Sequence, residues 1–377
     1  MPLLPANAEE LRDCMASAGA SKQTVELFGG NSKRLMAGPV ESADLRIGTA
    51  RMRRILKYEP RDLTISVEAG MPLAELNTEL AKHGQMIPLD GAYADVATVA
   101  GTIAANISGA RRRLYGTARD LVIGMQFATL DGKLVESGGM VVKNVAGLDM
   151  GKLMIGSFGT LAAIASVNFK LTPRPKVSRT ILAHFEDLQL AIEARDAAIR
   201  GVLNPVAVEL LNPVLSAQFN LKGFTLALLF NGSDAVTHRW PKTCHTLSPD
   251  EELRFWSTLH GLTPRFLEKF KDGLVVRVST TLAECGAALE MVDGPGHAHA
   301  ASGIVRGWFS RPEPAARWLA AAVKREWKGV VEFASESARP GLTLWPHTGS
   351  DFAIMKQIKR MFDPDNLLNR GRLYGKL

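Results

Sequence analysis

The stretch Lys143–Ile164, KNVAGLDMGKLMIGSFGTLAAI, decides how the rest of the chain reads. It spaces glycines at Gly147, Gly151, Gly156 and Gly159, carries one acid at Asp149, and runs into apolar residues from Leu161 to Ile164. Glycine tolerates positive φ and lets a backbone come close to a ligand. A glycine-spaced approach to a strand therefore points to a backbone that cradles something. Within it, Gly156-Ser157-Phe158-Gly159-Thr160 reads as a turn presenting backbone N–H groups just ahead of that strand.

Two upstream stretches raise the same question. In ELFGGNSKRLMAG, Glu26–Gly38, a strand runs into Gly29, Gly30, Asn31, Ser32 and Lys33, a turn able to aim several N–H groups at one point. An ordinary glycine turn is the plain alternative. In TVAGTIAANISGARRRLYGTARDLVIG, Thr98–Gly124, five of the first twelve residues are glycine or alanine. A helix with so few side-chain atoms admits close approach of a large body, and its start is expected to offer unpaired N–H groups to an anion. Tight helix–sheet packing would use the same residues. No Rossmann GxGxxG and no Walker GxxxxGK[ST] is present. Three such stretches in the first 175 residues are best explained together by one extended ligand carrying phosphates and flat rings.

The 377 residues, 46% hydrophobic, suffice for two domains with full cores. No apolar run reaches the ~18 residues of a membrane span, and MPLLPANAEELRDC lacks a secretory signal pattern. Cys14, Cys244 and Cys285 are scattered and support neither a zinc site nor an iron–sulfur cluster. The expected setting is cytoplasmic. The net charge of +7 is spread out except at Arg111–Arg113, so nucleic acid is not an expected partner.

The chain changes character at LTPRPK, Leu171–Lys176. Tryptophan is absent before it, and Trp240, Trp256, Trp308, Trp318, Trp327 and Trp345 all follow. The expected division is 1–175, 176–330 and a closing segment 331–377. The first part opens with a helix behind the capping box Asn7/Glu10. It continues through a strand at LTISVEAG, a helix after Pro72 ended by Gly84, and a hairpin turning at Asp131-Gly132. The second part repeats strand then helix, as in SRTILAHF before EDLQLAIEARDAAIRG. The fold class expected is α+β, with the second part a single antiparallel sheet covered by helices on one face.

The order GGNSK, PLD (Pro88–Asp90), VAGTIAANISG, YGTARDLVIGMQFATLDGKLVESGG and KNVAGLDMGKLMIGSFGTLAAI resembles the flavin-binding domain of the vanillyl-alcohol-oxidase (PCMH) type. The likeness covers roughly residues 5 to 175, and the tail FDPDNLLNRGRLY is similar to the family's closing segment. Within the family the chain most resembles the smaller, FAD-binding subunits of bacterial glycolate oxidases. The resemblance implies FAD between two α+β subdomains, with a smaller antiparallel-sheet α+β cap. It implies cofactor contacts at Gly29, Gly30, Asn31, Ser32, Lys33, Pro88, Leu89, Asp90, Thr98, Val99, Gly101, Thr102, Asn106, Ser108, Gly109, Tyr115, Asp120, Val122, Gly156, Gly159 and Ile164. Neither glycine loop carries the His or Cys that tethers flavin in some relatives, so the FAD is expected to be non-covalent.

The same resemblance implies oxidation of glycolate or a similar small 2-hydroxy acid, with electrons leaving to a second flavin subunit and an iron–sulfur subunit. Peripheral contact with the inner face of the cell membrane would come through those partners. Two residues are candidates for catalysis. Lys143 would hold an anionic substrate or the charge of the reduced ring, and Arg111 would steer a carboxylate. The histidine-rich metal motif of the family's D-2-hydroxy-acid dehydrogenases is missing. His297 and His299 share a strand face at i, i+2 and could pair on a metal, with Asp293 the one nearby acid; solvated loop histidines are the favoured reading, so no metal is expected. Stand-alone dehydrogenation and a flavin-bearing structural role are the competing readings.

Overall fold

The computed structural model describes residues 1–141, 148–232 and 244–377. The opening helix, Ala8–Ala20, starts as its sequence dictates: the Asn7 side chain accepts from Glu10 N at 2.8 Å and donates to the Glu10 carboxylate at 3.0 Å. It packs Leu11, Met15 and Ala18 onto the back of an antiparallel sheet. That sheet runs Ile55–Glu59, Thr64–Glu68, Ala163–Lys170, Val122–Ala128, Leu134–Gly138 in spatial order. Gly132, at φ +78°, turns its edge hairpin. A separate parallel pair, Val25–Phe28 with Leu45–Gly48, stands beside it. The small-residue helix Val99–Ala105 lies between the two.

From Ser178 the chain builds a second, eight-stranded antiparallel sheet. Its spatial order is His245–Thr246, Ser178–Phe185, Phe224–Asn231, Ala207–Leu211, Gly296–His299, Ile304–Phe309, Leu274–Ser279, Lys328–Ala334. Helices Leu188–Arg200, Cys285–Glu290 and Pro312–Lys324 pack on it. The boundary expected at 330 falls inside the last of these strands and must move beyond Ala334. Trp256, Trp308, Trp318 and Trp327 are buried in this unit's core. Trp240 lies outside the described residues.

Two connections fix the units to each other. Loop residues 35–37 bridge the sheet's edge strand: Ala37 N donates to Glu332 O at 2.9 Å and Ala334 N to Leu35 O at 3.0 Å. The C-terminal helix Phe352–Phe362 leads a tail back to the first unit. There Lys359, buried, donates to Thr160 O at 2.8 Å, to Leu368 O at 3.1 Å and to Asp363. Removing one partner of a buried, hydrogen-bonded pair leaves the other charge uncompensated. Lys359→Met is predicted to lower stability by about 3 kcal/mol, and an unchanged denaturation midpoint would show that this pair does not hold the tail.

Candidate cofactor and substrate site

A cleft of about 420 Å³ opens between the parallel pair and the helix Val99–Ala105. One wall is the loop from Glu26 to Arg34. The other is Thr98, Ala100, Gly101, Ala104 and Ala105, with Gly159 and Ile164 nearby. None of the five backbone N–H groups from Gly29 to Lys33 donates to an acceptor among the described residues. The same holds for Ser108, Gly109 and Ala110. Gly29 and Ser32 are half-buried, Gly30 and Asn31 exposed and Lys33 buried, so the 29–33 loop leaves its donors open to a ligand in the cleft. The loop cannot carry side chains at its first two positions. A Cβ on Gly29 would stand 2.2 Å from Thr98 Oγ1, and one on Gly30 2.9 Å from Val96 O.

Lys33 lines this cleft and is buried, with no acid beside it, and burial lowers its ammonium from the usual value to about 8. Arg339 and Arg372 complete a basic rim. The Arg372 guanidinium donates to Lys33 O at 2.7 Å, to Gly38 O at 2.7 Å and to Met36 O, clamping the loop from behind.

Two expectations are overturned. The helix Val99–Ala105 does not offer unpaired N–H groups at its start. Val99 N donates to Met71 O at 2.8 Å, Ala100 N to Ala69 O at 3.0 Å, and Gly101 N to the Thr98 cap. Nor does the turn at 156–160 present free donors. Gly156 N and Phe158 N close onto Ile103 O and Ala104 O, and Gly159 N and Thr160 N onto Ser157. This turn caps the helix's C-terminal end, and its positive φ at Gly156, Phe158 and Gly159 serves that closure.

The other expected residues divide. Thr98, Gly101, Gly159 and Ile164 line the cleft. Thr102 lies buried beside it with its hydroxyl unpartnered. Asn106 (φ +48°), Ser108 and Gly156 line a second cavity, described below. Gly109 packs so closely on Asp90 that a Cβ would meet Asp90 O at 2.3 Å. Asp90 itself accepts from Arg111 N at 3.1 Å and lies 3.6 Å from the His260 ring. Arg111 is drawn to Asp90 and does not line the second cavity, whereas its neighbour Arg112 does. Tyr115 OH accepts from Asn231. Asp120 is spent on the Thr117 N–H, at 2.7 Å, and does not reach a cavity. Pro88, Leu89, Val99 and Val122 are core residues that line neither cavity. Lys143 lies outside the described residues.

The second cavity, about 980 Å³, lies between the first unit and the inner face of the eight-stranded sheet. Ala105 and Phe158 line both it and the cleft, so the two adjoin. Strand register puts a polar stripe on this face. Arg277 pairs opposite Arg306, His297 opposite Arg306, and Glu209 opposite His299. A bulge leaves Glu332 unpaired between Val331 and Phe333. Arg306 donates to both Glu332 oxygens, at 2.6 and 3.1 Å, and to His299 Nε2 at 2.6 Å. A guanidinium only donates, so His299 carries its proton on Nδ1 and gives it to Glu209 at 2.7 Å. Burial pushes both histidines well down and Glu209 well up.

His297 and His299 are thus not solvated loop residues but buried strand residues, and Glu209, not Asp293, is their acid. One atom from each of Glu209, His297 and His299 falls within 4.8 Å of the others, a spacing an ion could bridge. An ion there would take the Nδ1 that Arg306 forces to hold a proton, so no metal is assigned to it. Sequence reading missed Glu209 and Glu332. Their signal was a lone carboxylate inside an apolar strand, VAVELL and VVEFA.

Comparison with known proteins accounts for this layout. Residues 2–138 match the FAD binding domain family, and residues 346–373 match the C-terminal domain of FAD linked oxidases. The chain is 26% identical to the glycolate oxidase subunit GlcE of Escherichia coli over 98% of both chains. It is 27% identical to a D-2-hydroxyglutarate dehydrogenase of Xanthomonas citri over 98% of this chain and 88% of that one. The fold is that of p-cresol methylhydroxylase, at TM-score 0.76 and 14% identity over 99% of this chain and 88% of that one. Residues 2–138 carry an FAD-binding domain of the PCMH type, and the chain is an FAD-dependent oxidoreductase.

FAD is its cofactor. The cleft suits it on its own chemistry: the unspent N–H donors of 29–33 and the Lys33 ammonium, with no acid beside it, suit phosphate oxygens, whereas the donors of 108–110 lie outside the cleft. The loop 29–33 and Lys33 would hold the pyrophosphate, and 105–109 the ring system.

Lys33 sets a pH dependence. Its ammonium is lost as pH rises through about 8 in the free protein, and the cation is what attracts phosphate. FAD affinity is predicted to fall above about pH 8. Lys33→Met should bind about 10-fold more weakly at pH 7, on the scale of one charge-assisted hydrogen bond, with no such fall. Fluorescence titrations across pH 6.5–9.5, as an approximate working range, test this. A parallel decline in both proteins would remove Lys33 from the site. Gly109→Asp should abolish FAD uptake, because its Cβ would meet Asp90 O at 2.3 Å and displace the 108–110 segment. Normal flavin stoichiometry in that variant would exclude this loop.

Proposed function

We propose that this chain is the FAD-binding subunit of a heteromeric enzyme that oxidises a small 2-hydroxy acid, glycolate to glyoxylate, and hands the electrons to partner subunits. The observation that carries the reading is the end-to-end likeness to the glycolate oxidase subunit of E. coli, across 98% of both chains. A 31% identity over 161 residues to the glycolate oxidase subunit GlcD of Bacillus subtilis supports the same substrate.

When bound, FAD supplies the acceptor for the hydride of the acid's α-carbon. The chain's own residues bind and orient. The loop 29–33 fixes the cofactor's anionic end, and the wall formed by Ala105 and Phe158 opens from there into the basic cavity where an acid would sit. No His or Cys stands in the loops that face the cofactor, which supports non-covalent FAD. Cys14 and Cys244 are half-buried and Cys285 is buried with its thiol pushed up to about 12. No cluster-ligand set is therefore formed among the described residues, which supports placing the onward electron carriers on other chains. Among the described residues no helix is long and apolar enough to cross a membrane.

The D-2-hydroxyglutarate dehydrogenase likeness favours a second reading, a stand-alone dehydrogenase. Glycolate oxidation with an artificial electron acceptor separates the two. The purified chain alone should be nearly inactive, and co-expression with its genomic neighbours should restore turnover. Full turnover by the single chain would sink the subunit reading.

A further inference from the structure

The cavity beside the cofactor cleft is charged out of balance. Three guanidiniums, those of Arg112, Arg277 and Arg306, line it, and Glu332 is the one buried acid among its lining residues. The other lining acids, Glu326 and Asp351, are exposed. Arg306 is fully occupied by Glu332 and His299. Arg277 is only loosely engaged, with Nε 3.4 Å from Glu332 and Nη1 3.4 Å from Ser279 Oγ, and it adjoins Tyr374. Arg112 has one bond, to Ser108 Oγ at 2.9 Å. Burial and the charges of Arg306 and Arg277 destabilise its cation.

Like charges held together partly out of water repel, and packing alone would not gather them. A guanidinium keeps five donors in a planar fork suited to carboxylate. Arg112 retains most of its donors, and Arg277, which also bonds Tyr374, retains some. Among the lining groups that are not exposed, three guanidiniums face one carboxylate, an excess of two positive charges; the exposed Lys328, Glu326 and Asp351 complete the charged lining.

We propose that this cavity is a two-charge anion site in which Arg112 and Arg277 clamp a small carboxylic acid against the cofactor. The excess charge favours a dianion. A 2-hydroxy acid brings one charge in its carboxylate and a hydroxyl oxygen that a second guanidinium can donate to. Arg306, fixed by Glu332 and by His299 on Glu209, is a positioning residue that keeps the charge of the site in place without a metal. The identity of the acid rests on the proposed function, whereas the anion site does not.

The test is calorimetric titration of the purified, FAD-loaded chain with oxalate, glycolate and ethylene glycol. Oxalate should bind once per chain and about 10-fold or more tightly than glycolate, and ethylene glycol should give no binding heat. Arg112→Met and Arg277→Met should each weaken oxalate by about 10-fold or more while the flavin absorbance per chain stays constant. Arg112→Lys and Arg277→Lys keep the charge and lose the fork, so they should fall between; they also stand in if a methionine variant does not fold. Oxalate no tighter than glycolate, or arginine variants that bind as the wild type does, would overturn the site. So would oxalate binding lost in Lys33→Met but kept in the arginine variants, because that places the anion in the nucleotide cleft. A chain that purifies without flavin and cannot be loaded would defeat the flavin reading instead, and oxalate binding can still be read on it.

Discussion

Asn369 ties together three segments that the chain makes far apart. Its side chain accepts from Leu27 N at 2.7 Å and donates to Phe158 O at 2.7 Å and Leu27 O at 3.3 Å. Leu27 leads into the glycine loop, Phe158 is the wall between the two cavities, and Asn369 arrives last in the chain. Arg372, three residues on, then clamps the loop's carbonyls and leaves its N–H groups facing the cleft. The donor geometry of the cofactor loop thus depends on a tail that must return across the molecule. A buried carboxamide making three bonds is a demanding arrangement, because any one left unmade strands a polar group.

The two units meet with opposite chemical character. The first contributes backbone donors and small residues, which let a flat cofactor lie against the chain. The second contributes the charged face of its sheet, where strand register and one bulge gather Glu209, His297, His299, Arg277, Arg306 and Glu332. A sheet buried on both sides ordinarily excludes such groups. Here each of the buried ones either pairs with another or borders a cavity, and that cost is accepted where a ligand can offset it. The cofactor cleft is lined mainly by the first unit and the tail, whereas the second cavity draws on both units, with Arg112 from the first and Arg277 and Arg306 from the second. The units are joined at the 35–37 bridge and by the tail.

By itself the sequence determined the elements and the kind of ligand. Asn7 and Glu10, Pro72 and Gly84, and Asp131-Gly132 acted locally as capping and turn chemistry dictates, because those interactions span three or four residues and need no partner elsewhere. The glycine spacing of Gly29–Lys33 likewise foretold a close-approach loop. Tertiary structure decided which donors were free. The N–H groups of 99–101 and 156–160 looked equally available, yet all are consumed, those of Val99, Ala100, Gly156 and Phe158 by carbonyls that only the fold brings near and the rest by local partners. It also decided that His297 and His299 face Glu209 from a strand nearly ninety residues away, and that Arg112 rather than Arg111 turns to the cavity. Sequence spacing fixes what a residue can do, whereas long-range register fixes what it meets, and the charge of this site is made by register.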